Sequence, residues 1–113
     1  MIYLLCGLDT QKSRNKLDEI VAEFRKKNGG DLNIHRFDAE ETDMMTIKSA
    51  LETQSLFARK KLAVIKYLSL APEWQTLFPV LGKIKEDHDT IVLLWECELA
   101  PEKISELRPY CSN

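Results

Sequence analysis

Short apolar runs alternate along the chain with longer segments whose apolar residues recur at helical spacing. The first run, Ile2-Tyr3-Leu4-Leu5-Cys6, is apolar throughout and closes at Gly7, the pattern of a strand covered on both faces by helices. From Thr10 to Lys27, the residues Leu17, Ile20, Val21 and Phe24 fall at i, i+3, i+4 and i+7 and so share one helical face, which Asn28-Gly29-Gly30 ends. Leu32, Ile34 and Phe37 mark a second strand whose alternation places it toward a sheet edge. Thr42 or Asp43 can cap a second helix with the apolar face Met44, Ile47, Ala50 and Leu51, stopping before Gln54. Leu62-Ala63-Val64-Ile65 reads as a third, central strand led in by Arg59-Lys60-Lys61. Trp74, Leu77, Phe78 and Leu81 repeat the helical spacing and Ile84 extends it, while Pro79 removes a backbone donor and predicts a kink or a split. Thr90 to Trp95 is the fourth and most apolar strand, and Pro101 suits the first turn of a short helix holding Ile104 and Leu107.

This alternation predicts the α/β class: a three-layer α/β/α sandwich with a mainly parallel sheet and right-handed crossovers. Its 113 residues suit a single domain over 1–113, with no internal repeat and no linker. Basic and acidic residues are interspersed and the net charge is −2, so no domain-wide field would hold a phosphate backbone, and DNA contact is expected to be weak or indirect. Cys6, Cys97 and Cys111 are odd in number and widely spaced, matching neither a disulfide framework nor a zinc site and pointing to a reducing compartment. The first apolar run is too short to span a bilayer and lacks a basic leader, so it reads as a strand and not a signal.

Gly7-Leu8-Asp9-Thr10 follows the first strand, where a dinucleotide fold or a P-loop protein places its phosphate cradle. The chain has no second or third glycine there to admit a pyrophosphate, and Lys12-Ser13 is not preceded by the glycine of a Gly-Lys-Ser/Thr motif. A plain strand-to-helix turn capped by Asp9 or Thr10 is the simpler reading. The third strand ends Ile65-Lys66-Tyr67-Leu68-Ser69, without the acidic residues that hold Mg²⁺ in an ATPase. Glu96 and Glu98 follow the fourth strand, at the edge where α/β proteins bind ligands, and without identified partners they read as solvated loop acids. A small ligand-binding or degenerate nucleotide-binding domain using Gly7, Asp9 and Glu96 is the alternative reading. His35 and His88 lie in no triad-like arrangement, and Cys6 and Cys97 would approach one another only if their strands were neighbours. Neither a catalytic residue, a cofactor nor a metal ligand is indicated.

Leu56-Phe57 stands apart, because two large apolar residues follow the polar Thr53-Gln54-Ser55 and closely precede Arg59-Lys60-Lys61. Buried, they would pack beneath the sheet; exposed, they would form a compact anchor for a partner's apolar pocket.

The order of these elements resembles one family. Ile2-Tyr3-Leu4-Leu5-Cys6-Gly7 with Asp9-Thr10, then Asn33-Ile34-His35-Arg36-Phe37-Asp38-Ala39-Glu40, Gln54 to Ile65, and Thr90-Ile91-Val92-Leu93-Leu94-Trp95-Glu96 are together similar to the delta subunit of DNA polymerase III, over nearly the whole chain. The resemblance implies an N-terminal AAA+/P-loop NTPase-like domain that has lost its Walker A site, belonging to the polymerase holoenzyme but carrying no catalysis of its own. It implies a clamp-loader part that binds the β sliding clamp and helps hold its ring open during replication. Carried over by motif, Leu56 and Phe57 become the wedge, supported by Gln54, Ser55 and Arg59. Other loader subunits are implied as partners, with a lid and a collar domain lying beyond this chain, in the cytoplasm and away from any membrane. The chain departs from the family at Leu8, where an acidic residue is common, and at Glu52, where a clamp-binding hexapeptide usually has an orienting glutamine.

Overall fold

The computed structural model describes residues 1–6, 10–28, 33–52, 60–87, 89–96 and 101–111. Its strands are β1 (Ile2–Cys6), β2 (Ile34–Asp38), β3 (Lys61–Lys66) and β4 (Thr90–Glu96), and its helices α1 (Thr10–Lys27), α2 (Met44–Glu52), α3 (Phe78–Lys85) and α4 (Pro101–Leu107). The strands form one parallel sheet in the order β1-β4-β3-β2.

The strand order determines where the helices go. Travelling from β1 to β2 crosses the sheet in one direction, and the steps from β2 to β3 to β4 return in the other. Crossovers of a single hand therefore put α1 on one face and α2 with α3 on the opposite face. The core divides accordingly. Leu17, Val21 and Phe24 of α1 pack with Leu62, Val64, Leu93 and Trp95, whereas Ile47, Leu51, Leu81 and Ile84 pack with Ala63, Ile65, Val92 and Leu94. Successive residues of β3 and β4 thus face opposite layers, which is why both strands read as unbroken apolar runs. Each fully buried Leu or Ile contributes roughly 1.5–3 kcal/mol, and Leu62, Ile65, Leu93 and Leu94 are all buried.

β2 is an edge among the described strands, the place expected of it, although its Ile34 and Phe37 pack in opposite layers. β1 is the other edge among the described strands, and only Ile2 of its described side chains is fully buried; Tyr3, Leu4 and Leu5 are half-covered. Asp43 caps α2, its Oδ1 accepting the Thr46 N–H at 2.7 Å.

The helix expected around Pro79 is split. Residues Trp74–Leu77 form a 3₁₀ turn and α3 begins at Phe78, with the proline in its first turn, where a missing N–H costs no hydrogen bond. A further 3₁₀ turn, Leu68–Leu70, follows β3. Trp74 meets Phe78 edge-on at 5.2 Å between ring centroids, and Phe78 meets Tyr110 at 5.0 Å, seating the C-terminal turn Arg108–Tyr110 on α3.

Candidate functional site

The two ends of the parallel sheet differ in chemistry, and each holds a buried ionisable side chain. At the N-terminal end, β3 begins with Lys61, whose backbone N–H donates to the Asp89 carbonyl at 2.8 Å. Its ammonium turns toward α2 and donates to the carbonyls of Ala50 at 3.0 Å and Leu51 at 3.2 Å. Carbonyls in the last turn of a helix lack intrahelical partners and carry the negative end of its dipole. The last turn of α2 has no basic residue of its own, so the cation arrives from the next element. Burial pushes the Lys61 ammonium below the usual lysine range, and the charge of Asp87 opposes this. Lys60, its neighbour, is exposed.

The C-terminal end is where open α/β sheets bind ligands, at the point where successive connections leave toward opposite faces. Here that point lies between β1 and β4, since α1 packs on one face and Leu107 of α4 on the other. Glu96, the last residue of β4, is only 1 % exposed. Its Oε1 accepts the Ser69 N–H at 3.0 Å and its Oε2 accepts the Ser69 hydroxyl at 2.9 Å. Lys103 of α4 donates to the Ser69 carbonyl at 2.5 Å and stands over the Trp74 ring at 5.8 Å. Burial raises the Glu96 carboxyl above the ordinary glutamate range, against the opposing pull of the Ser69 donors and the Lys103 charge. Tyr67 between β3 and the 3₁₀ turn takes a left-handed backbone at φ 59°, strained for a non-glycine residue, and its ring stacks on Trp95. Lys66 sits over the same indole at 5.2 Å.

Glu96 therefore corrects the reading of a solvated loop acid. A carboxylate at the end of an apolar strand has no covering element until the chain returns, and here the 3₁₀ turn after β3 supplies one. Each of its two oxygens accepts a hydrogen bond from Ser69. Gly7 and Asp9 of the alternative ligand site, along with Glu98, Cys97 and His88, lie outside the described residues, although β1 and β4 are neighbours with Cys6 opposite Glu96. The wedge residues Gln54, Ser55, Leu56, Phe57 and Arg59 also lie outside them, in the connection that leaves α2 at Glu52 and rejoins β3 through Lys60. Sequence reading missed the pairings of Lys61 and of Glu96 with Ser69. The one available signal was a lysine immediately before an apolar strand, following a helix without a basic last turn.

Among the described residues, no group of three or more His, Cys, Asp or Glu could hold a metal ion, and no helix is long and apolar enough to cross a membrane. A comparison with curated proteins found no match. Among solved structures, the fold is similar to the Bacillus subtilis DNA clamp loader delta protein (YqeN), with a TM-score of 0.65 and 21 % identity. That match covers 97 % of this chain and 36 % of the other, so the chain spans about a third of the length of that protein. The family model described as DNA polymerase III, delta subunit, matches residues 3–105, taking in all four strands apart from the first residue of β1. The chain belongs to the DNA polymerase III delta subunit family.

Proposed function

We propose that this chain is a noncatalytic clamp-loader domain that binds the β sliding clamp through an exposed Leu56-Phe57 wedge and helps open the ring for loading onto DNA. The observation that carries this reading is the delta-family match over residues 3–105, whose bounds enclose Gln54-Ser55-Leu56-Phe57. The commitment of Glu96 to Ser69 supports it from the other side, because an ionisable group at the expected ligand crevice is engaged within the fold.

In this reading Leu56 and Phe57 fill an apolar pocket on the clamp, Gln54 and Ser55 hydrogen-bond around it, and Arg59 adds charge at the rim. The domain is the N-terminal part of a delta subunit, residues 1–113 corresponding to its AAA+-like first domain. In a longer parent it would work beside the other loader subunits in the cytoplasm, touching DNA weakly or indirectly.

The test is a double substitution, Leu56→Ala with Phe57→Ala, titrated against the clamp of the same organism by calorimetry, with circular dichroism to confirm the fold. Two central apolar anchors are worth about 2 kcal/mol or more apiece, so binding should fall below detection. Unchanged affinity in a folded double variant would overturn the site.

A further inference from the structure

We propose that Lys66 and Trp95 form a carboxylate-binding site on the α1 side of the sheet, and that Tyr67 is its cover. The site is independent of the Leu56-Phe57 reading and uses none of its residues.

Lys66 and Trp95 are register partners, the last pair joining β3 to β4 at the C-terminal end of the sheet. Trp95 packs with α1, on the face opposite to that of Leu94, and the same alternation turns Glu96 toward the other layer, where Ser69 holds it. The buried acid and this pair therefore lie on different sides of the sheet.

Both members of the pair are donors that lack an acceptor. Trp95 is 5 % exposed, and its indole Nε1 is buried with no hydrogen-bond partner among the described residues. A buried tryptophan ordinarily gives its N–H a partner, because an unmet donor away from water costs stability. The Lys66 ammonium stands 5.2 Å from the centroid of the same ring and, among the described residues, makes no hydrogen bond or ion pair. A carboxylate fits this arrangement, offering one oxygen to the indole N–H and the other to the ammonium. Its single charge also matches a single lysine. A phosphate dianion would bring more charge than Lys66 offsets, and Asp38, the register partner of Lys66 on β2, would repel it further.

Tyr67 closes the site at a cost to itself. It takes a left-handed backbone at φ 59°, which a bulky side chain keeps only where its surroundings enforce it. Its N–H donates to the Trp95 carbonyl at 2.9 Å, and its half-buried ring stacks on the indole at 6.0 Å between centroids. The strained residue and the unmet donor thus meet in one contact. Moving the tyrosine aside relieves the strain, and an entering carboxylate satisfies the donor, so such a ligand binds the open form in preference to the closed one.

The experiment follows the side-chain indole N–H resonances by nitrogen–proton correlation spectroscopy, with Trp95→Phe to assign the Trp95 signal against that of Trp74. The chain is titrated with sodium acetate and with blocked glutamate (N-acetyl, C-amide), against sodium chloride and sodium phosphate at matched ionic strength. The Trp95 proton should move downfield saturably with a carboxylate. Acetate acting as well as blocked glutamate identifies a free small acid as the source, and blocked glutamate acting alone identifies the acidic side chain of a partner. Lys66→Met should weaken the response at least about tenfold. Tyr67→Gly, which adopts the left-handed backbone freely and removes the cover, should tighten it about tenfold. No saturable shift in either the intact chain or Tyr67→Gly overturns the site, as does a shift given equally by chloride or more strongly by phosphate. A response unchanged in Lys66→Met overturns it as well, and this variant decides even if Tyr67→Gly does not fold.

Discussion

The N-terminal end of the sheet at Lys61 and the C-terminal end at Glu96 solve the same problem with opposite charges. Each buries an ionisable side chain and satisfies it with polar groups from another element, Lys61 on the backbone carbonyls closing α2 and Glu96 on the N–H and hydroxyl of Ser69. What they hold differs. Lys61 ties the start of β3 to the last turn of α2, whereas Glu96 holds a 3₁₀ turn to which Lys103 of α4 also donates. In a parallel α/β sheet the C-terminal end is the usual ligand site, and among the described residues its buried carboxylate, Glu96, is held by internal bonds.

Three measurements can break or sharpen that contrast. The largest effect is expected from Glu96→Ala, which leaves the Ser69 N–H and hydroxyl buried without acceptors and opens a cavity. Stability to urea should fall by about 2–4 kcal/mol, with clamp affinity of the folded protein unchanged. A loss of affinity in the folded variant would show that clamp binding depends on the C-terminal end of the sheet as well.

A smaller, pH-dependent effect is expected from Glu96→Gln, which retains an acceptor for the Ser69 N–H. Because burial raises this carboxyl in the folded state, the native protein holds the proton more tightly than the unfolded chain. The stabilising contribution is complete below the ordinary glutamate pKa and is lost as pH rises through the higher folded value. Urea titrations across that window should therefore show the variant gaining on the wild type as pH increases. A difference independent of pH would mean that Glu96 titrates as an exposed glutamate does.

The smallest effect is expected from Asp43→Ala, which removes the cap at the far end of α2 from Lys61. A slight fall in melting temperature without change in clamp affinity would separate general weakening of α2 from the Lys61 bonds at its C-terminal end. A matched loss of affinity would show instead that any damage to α2 reaches the binding segment.

Much of the architecture was legible along the chain because periodicity reports burial directly. The spacing of Leu17, Ile20, Val21 and Phe24 sets the inward face of α1, and the bounds Thr10 and Lys27 agree with the helix. Pro79 marked the break in the third helical segment, since a residue without an N–H is tolerated only in a first turn. β2 does lie at an edge among the described strands, but Ile34 and Phe37, three positions apart, pack in opposite layers, so alternation was not what put it there. Less legible were β1, whose apolar run suggested cover on both faces that its edge position only partly provides, and the 3₁₀ turn Leu68–Leu70, too short to carry a period of its own. The wedge was named from motif order alone, and its residues lie outside those described.

By itself the sequence determined the alternation of strands and helices, the lack of a glycine-rich cradle after the first strand, and membership of the delta family, because each of these resides in the order of residues along the chain. Only the tertiary structure decided the roles of Lys61 and Glu96. A buried charge is stable only beside specific partners, and those partners lie ten or eleven positions away for Lys61 and 27 for Glu96, brought near only when α2 and the Leu68–Leu70 turn pack against the sheet.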